Sequence, residues 1–204
     1  MNRYMNLIGK NARKASLEKI NTKKKNNVLK KYVSLLDSEK KSIIRANEKD
    51  IKHAIKKGFP KNLINRLTIN QKKLNQIKNS INNITKLKDP IDNTLKKWTR
   101  PTGLKISKVT IPIGVIGVIY ESRPNVTSDV ASLCFKSGNA VILKGGSEAI
   151  NSNKILAKLF RKALKSNKVN KNFIQFIESK NRKMVDFMLS KMKDYIDVII
   201  PRGG

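Results

Sequence analysis

Three short polar segments contain the side chains best suited to chemistry. They are ESRPNVT at 121–127, KGGSE at 144–148 and PRGG at 201–204. Each follows an apolar run of strand length, and ligands of open parallel sheets bind beyond the carboxyl ends of the strands. We therefore predict that the three segments meet at one edge of a sheet, where a ligand would bind.

The KGGSE segment is suited to binding an anion. Glycines after a strand allow backbone N–H groups to approach a phosphate, and the N-terminus of the following helix favours negative charge. Lys144 would add a point charge for a phosphate or a donor for a ribose hydroxyl. A glycine pair at such a turn also occurs for purely structural reasons. The sequence contains neither the GxGxxG nor the GxxxxGK[ST] fingerprint of nucleotide-binding loops.

Asn125 has two interpretations. Its side-chain amide can donate a hydrogen bond to a developing oxyanion. Alternatively, its side-chain oxygen can cap the helix that is predicted to begin near Val126. The residue types and their spacing leave both interpretations open.

The single cysteine and the single histidine are not placed for catalysis. Cys134 lies in the middle of a predicted helix and is interpreted as a buried packing thiol. His53 lies among lysines on a predicted surface helix. The sequence has no Cys/His cluster, so we expect no structural zinc site. One cysteine, no apolar leader segment and no apolar run of membrane length lead us to expect a cytoplasmic protein.

Hydrophobic periodicity indicates which elements position these residues. Before residue 90, apolar residues recur at three- and four-residue spacing, which predicts a series of helices. Ser38 is the predicted N-cap of one of them, and Gly58-Phe59-Pro60 ends it. Segment 94–110 predicts a β-hairpin around the turn at 100–103.

From residue 112 onward, strand patterns alternate with helix patterns. The predicted strands are 115–120, 140–143, 173–177 and 195–200, and the predicted helices are 126–136, 148–166 and 182–192. Alternation with short links predicts an α/β fold with a doubly wound parallel sheet. We expect three units: a helical segment at 1–90, a hairpin arm at 91–111 and an α/β domain at 112–204.

The chain carries a net charge of +31, with 36 lysines and nine arginines. Basic patches attract nucleic acid, but recognition of phosphates and bases favours arginine, and the lysines here are scattered over every predicted helical face. Residues 101–150 are nearly neutral, with five basic and three acidic groups. A solvated lysine-rich surface is the favoured interpretation, and a basic nucleic-acid-binding module is kept as the alternative.

Segment 112–148 resembles the gamma-glutamyl phosphate reductase (glutamate-5-semialdehyde dehydrogenase) family of the aldehyde dehydrogenase superfamily. The resemblance rests on YESRPNVT, ILKGGSE and IDVIIPRGG, with Ala46-Asn47 and Asp50 in the helical part. It implies NADPH-dependent reduction of L-glutamate 5-phosphate to L-glutamate 5-semialdehyde and phosphate, a step of proline biosynthesis. It also implies that Asn125 is the oxyanion donor. The cofactor-binding residues that it implies are Lys144, Gly145, Gly146, Ser147, Glu148, Arg202, Gly203 and Gly204.

The sequence departs from the family in one important respect. The family uses a cysteine thiolate to attack the acyl phosphate, and that cysteine lies in a domain downstream of the matching region. We therefore expect a C-terminally truncated chain that is inactive alone, with a non-functional remnant as a further alternative. The hairpin at 91–111 resembles the arm through which aldehyde dehydrogenases assemble, which implies a homo-oligomer.

Overall fold

A four-stranded parallel sheet organises the α/β part of the chain. In this computed structural model, which describes residues 2–203, the strand order is β5-β4-β3-β6. The four strands are β3 (Val115–Tyr120), β4 (Ala140–Gly145), β5 (Ile174–Phe176) and β6 (Val198–Arg202). The sheet is built outward from β3 to β5 and then returns to place β6 on the other side of β3. This reversal is the switch point of a doubly wound fold, so the predicted fold class is confirmed.

Helices precede the sheet and connect its strands. The helices are α1 (Asn2–Ser16), α2 (Thr22–Ser38), α3 (Lys40–Lys56), α4 (Lys61–Leu67), α5 (Gln71–Lys86), α6 (Asn125–Lys136), α7 (Ile150–Ser166) and α8 (Lys183–Lys191). Helix α6 links β3 to β4, α7 links β4 to β5, and α8 lies on the return to β6. Right-handed connections require α8 to cross the sheet on the face opposite to α6 and α7.

One buried hydrophobic cluster includes residues from α1 through the segment that precedes β6. Aromatic rings join its layers: Tyr32 of α2 lies 4.5 Å from Phe160 of α7, and Phe135 of α6 lies 5.9 Å from the same ring. On the opposite face, Gly117 of β3 lies against Met188 and Ile196. The sheet is thus covered on both faces, as a parallel sheet requires.

The predicted hairpin is present as β1 (Thr94–Thr99) and β2 (Lys105–Val109), which pair antiparallel with a bulge near Leu95. Its side chains are almost all exposed, including Trp98 at 39%. The division of the chain into three units stays a prediction. Among residues 2–203, no helix is both long and apolar enough to cross a membrane.

Two local predictions were wrong. Ser38 is not an N-cap: it is the last residue of α2, and its hydroxyl donates to Leu35 O at 3.3 Å. A single residue, Glu39, separates α2 from α3, which leaves no loop for a capping side chain. The last strand begins at Val198 rather than at residue 195, because Tyr195 and Ile196 form a turn.

Candidate functional site

The carboxyl ends of β3, β4 and β6 are level with one another. Tyr120 at the end of β3 pairs with Gly145 of β4 on one side and with Arg202 of β6 on the other. The loop after β3 and the KGGSE segment line one cavity of about 540 Å³ at this edge. Arg202 and Gly203 line an adjacent cavity of about 280 Å³ with the same loop. The three polar segments therefore meet where the sequence predicts.

Lys144 is buried, with only 5% of its surface exposed, and it borders the larger cavity. Its Nζ donates one hydrogen bond, to Gly145 O at 2.8 Å. An ammonium group has three donors, so two are available to a ligand. Burial lowers the pKa of Lys144, and the nearby Glu148 carboxylate opposes that shift.

Protein packing leaves little room for a side chain at either glycine of KGGSE. A Cβ on Gly145 would collide with Asn153 Nδ2 and the Tyr120 ring, and a Cβ on Gly146 would collide with the Glu148 carboxylate. This agrees with the structural alternative for the glycine pair. Their backbone still forms the rim of the cavity next to the exposed Ser147.

Glu148 closes the loop that follows β3. Its Oε1 accepts hydrogen bonds from Ser122 N at 2.6 Å and from Ser122 Oγ at 2.9 Å. Ser122 has a φ of +31°, which is uncommon for a residue other than glycine. The two bonds hold this backbone in place and connect the loops after β3 and β4 into one rigid edge.

The third polar segment is placed slightly differently from the prediction. Pro201 and Arg202 belong to β6 instead of following it, because the pairing with β3 continues through Ile119–Pro201 and Tyr120–Arg202. Gly203 lies beside the Glu121 side chain, which a Cβ on this glycine would contact at 2.9 Å. Gly204 lies outside the described residues.

Asn125 is the first residue of α6, but it does not cap the helix. The N-cap position is Pro124, and no side chain caps the helix there. The Asn125 amide instead donates to Asp129 Oδ2 at 3.1 Å. The capping interpretation is therefore wrong. The second amide hydrogen remains available, and the residue borders a third cavity of about 520 Å³.

Two sets of cations at this edge include residues that sequence analysis did not identify. Lys180 and Arg182 precede α8 and line the cavity that contains Lys144. The other set, Arg66, Lys73 and Arg123, lines the cavity beside Asn125. A chain with 45 basic residues gives no signal that separates these from the rest.

Cys134 is buried, and burial raises the pKa of its thiol to about 12. The thiol is therefore protonated at neutral pH and is not an activated nucleophile, which agrees with its interpretation as a packing residue. His53 is exposed on α3, also as expected. No group of three or more metal-ligating side chains occurs within residues 2–203.

The architecture is shared with a class of known enzymes. A probable aldehyde dehydrogenase from Listeria monocytogenes superimposes with a TM-score of 0.70 at 15% identity, covering 99% of this chain and 42% of that one. This likeness concerns the fold alone. The chain has the fold of the aldehyde dehydrogenases, with the site at the switch point of its sheet. No family model matches the chain.

More similar proteins identify the relationship within that class. The gamma-glutamyl phosphate reductase of Persephonella marina is 42% identical over 203 residues, which are 98% of this chain and 45% of the relative. The crystal structure of the Thermotoga maritima gamma-glutamyl phosphate reductase gives a TM-score of 0.95 at 38% identity, covering 98% of this chain and 49% of that one. The resemblance to gamma-glutamyl phosphate reductase is confirmed, and the chain spans about half the length of these relatives. The nucleic-acid-binding alternative is not favoured.

Proposed function

We propose that the chain is the cofactor-binding portion of a gamma-glutamyl phosphate reductase. The reaction is the reduction of L-glutamate 5-phosphate by NADPH to L-glutamate 5-semialdehyde, with release of phosphate, in proline biosynthesis. The observation that carries the proposal is the meeting of Lys144, Glu148 and Arg202 at the switch point of the sheet. A single buried cysteine supports a cytoplasmic location.

The cavity lined by Lys144 fits a phosphorylated dinucleotide. Its volume of about 540 Å³ lies within the range of small-molecule sites. Lys144, Lys180 and Arg182 supply three positive charges there, and the carboxylates of Glu121, Glu148 and Asp186 balance them. The cations themselves, and not an excess of positive charge, would pair with a ribose phosphate. Gly145, Gly146, Ser147 and Glu148 form the rim on one side. Arg202 and Gly203 line the adjacent cavity of about 280 Å³. When bound, NADPH supplies the hydride of the reaction.

Asn125 is proposed to donate its free amide hydrogen to the oxyanion that forms when a thiolate attacks the acyl phosphate. Asp129 holds the amide from the other side, which fixes the direction of the remaining donor. A fixed donor aimed at developing charge lowers the barrier because it needs no reorganisation during the reaction. In this proposal the chain binds and orients the cofactor and the substrate. Cys134 is not a candidate for the attacking thiolate, because it is buried and protonated.

Titration of the 204-residue chain with NADPH tests the cofactor assignment. Lys144→Ala is expected to weaken NADPH binding by about tenfold, because a charge-assisted hydrogen bond in a partly buried site is lost. Lys158→Ala removes the same charge from an exposed position on α7 and is expected to change the affinity less than twofold. Equal affinities for wild type and Lys144→Ala would refute the assignment.

A turnover assay tests the catalytic part of the proposal. The chain alone, with glutamate 5-phosphate and NADPH, is expected to oxidise no NADPH above the rate without protein. Turnover that disappears in Cys134→Ser would show that the assignment of Cys134 as a packing residue is wrong.

The hairpin of β1 and β2 is proposed to join copies of the chain. Its exposed apolar side chains and the Trp98 ring, with Lys96 Nζ 6.0 Å from its centroid, offer a surface without packing partners in residues 2–203. Sedimentation equilibrium at increasing protein concentration tests this. A wild-type chain that stays monomeric at all concentrations would argue against the proposal.

A further inference from the structure

A basic cleft lies between the N-terminal helices and the start of α6. It has a volume of about 520 Å³ and is bordered by Arg66 at the end of α4, Lys73 of α5 and Arg123 in the loop after β3. Asn125 and Asp129 of α6 form its opposite wall. The three cations thus come from distant parts of the sequence and line one concave surface.

The positive charge of this cleft is not neutralised by the protein. None of the five ion pairs within residues 2–203 involves Arg66, Lys73 or Arg123. The one carboxylate in the wall, Asp129, uses its Oδ2 to accept the Asn125 amide. Three cations facing one carboxylate leave an excess of two positive charges, which favours an anionic ligand.

Lys73 is held in position within the cleft. Its Nζ donates to Asn65 O at 2.6 Å and to Arg66 O at 3.3 Å, and the side chain is half-buried. Burial lowers the pKa of Lys73, and the positive charge of Arg123 lowers it further. Two cations close enough to disfavour each other are a costly arrangement, and a bound anion would relieve that cost.

The cleft is continuous with the proposed cofactor site. Arg66 and Arg123 line both this cleft and the cavity of about 280 Å³ at the switch point. That cavity shares Tyr120, Glu121 and Ser122 with the cavity that contains Lys144. A ligand in the basic cleft would therefore lie on the far side of the switch point from the nucleotide, with Asn125 beside it.

We propose that Arg66, Lys73 and Arg123 bind an oxyanion group of the substrate, either a phosphoryl group or a carboxylate. Guanidinium groups pair with both kinds of group through parallel hydrogen bonds, and lysine adds a point charge. The assignment of the anion to the substrate rests on the proposed function, whereas the binding of an anion rests on the cleft alone. The three cations would hold the substrate so that its reacting carbon faces the Asn125 amide.

Amide chemical shifts of the 204-residue chain test this without cofactor, at a constant ionic strength of about 0.15 M. Inorganic phosphate is titrated in one series and L-glutamate in another. We expect saturable shifts at Arg66, Lys73 and Arg123 in at least one series. Saturation by phosphate assigns the cleft to a phosphoryl group, and saturation by L-glutamate alone assigns it to a carboxylate.

Two pairs of variants separate the cleft from general charge attraction. Arg123→Gln and Lys73→Gln are each expected to weaken binding at least about tenfold, the loss expected for a charge-assisted hydrogen bond. Arg100→Gln in the hairpin turn and Lys72→Gln on α5 are the controls, because they remove the same charges at exposed positions. They are expected to change the affinity for the anion less than twofold. All four affected positions are at or near the surface, and unchanged thermal unfolding confirms that the variants fold.

Shifts that rise linearly with ligand and spread over the surface lysines, or equal losses in all four variants, would overturn the inference. Its failure is distinct from that of the cofactor assignment. Normal NADPH binding without localised anion shifts overturns the anion cleft alone. Localised anion shifts without NADPH binding overturn the cofactor assignment alone.

Discussion

Asp197 connects three parts of the chain through its two carboxylate oxygens. Oδ2 accepts from Val115 N at 2.7 Å and from the Arg13 guanidinium at 2.8 Å, and Oδ1 accepts a second guanidinium bond at 3.0 Å. These bonds join α1, the start of β3 and the residue before β6. A Cβ on Gly114 would collide with the same carboxylate, so glycine is required there.

Asp197→Asn is expected to lower stability at pH 7 by about 1 kcal/mol, a modest figure because a third of the side chain is exposed and solvent screens the pair. The Arg13 hydrogen bonds hold the pKa of Asp197 below its ordinary value of 3.8. A depressed pKa in the folded state gives stability that is present above 3.8 and is lost as the pH falls through the folded value. The difference in the free energy of unfolding between wild type and Asp197→Asn should therefore become smaller below pH 4.

Urea unfolding at pH 7, 4 and 3 measures this difference. Asp194→Asn, which changes an exposed carboxylate three residues away, serves as the control and should leave stability unchanged. A constant difference between wild type and Asp197→Asn over this range would show that the ion pair contributes nothing to the pH dependence.

Single residues of the site were predictable where a strand pattern precedes them. Lys144 and Asn125 lie at the predicted sheet edge because the apolar runs before them are unambiguous. Arg66 and Lys73 were not predictable, because they reach the site through the packing of α5 on α6 and of α4 on α3. Nothing in a lysine-rich helix distinguishes an inward cation from a solvated one.

Helix α7 receives its N-terminal cap from another helix. Asp50 of α3 accepts from Asn151 N at 3.2 Å and Ser152 N at 2.8 Å, and from both of their side chains. Asn47, one turn earlier, donates to Leu67 O and Ser152 Oγ. These bonds satisfy N–H groups that a helix N-terminus leaves unpaired. They fix α7, and with it the KGGSE segment before it, to the N-terminal helices.

Asp50→Ala is expected to destabilise the fold by about 2–4 kcal/mol, because it leaves buried donors at the start of α7 without partners. The measurement is thermal or urea unfolding, compared with Glu48→Ala at an exposed position of the same helix. A loss no larger than that of the control would show that the cap is dispensable. The sequence placed Asp50 in a family motif but could not show which helix it caps.

Helices and strands were predicted best where burial determines the pattern of apolar residues. Strand β3 is buried along nearly its whole length and was predicted with its correct bounds, 115–120. The last strand was misplaced because Tyr195 and Ile196 are apolar for another reason: Tyr195 packs on Gly9 of α1, and Ile196 packs on Gly117. Two adjacent apolar residues give the same sequence pattern whether they belong to a strand or to a turn that packs on neighbouring elements.

The charge of +31 is spread over the molecule, and several concave regions hold groups of cations. One region is the carboxyl edge of the sheet. Another is a groove of about 690 Å³ along α7, whose lining includes Lys158, Lys162 and Lys165 together with the carboxylates of Glu39 and Glu178. Both attract anions, and the groove along α7 lies away from the carboxyl ends of β3 and β6. A cofactor site at the sheet edge would bind NADPH in preference to this groove. Ordinary charge attraction would bind NADPH equally at both places.

Mapping NADPH on the 204-residue chain by amide chemical shifts at about 0.15 M salt tests this directly. Saturable shifts are expected at 144–148 and 180–186, with little change at 158–165. Shifts confined to 158–165, or spread evenly over the lysines, would contradict the assignment of the switch-point edge as the cofactor site.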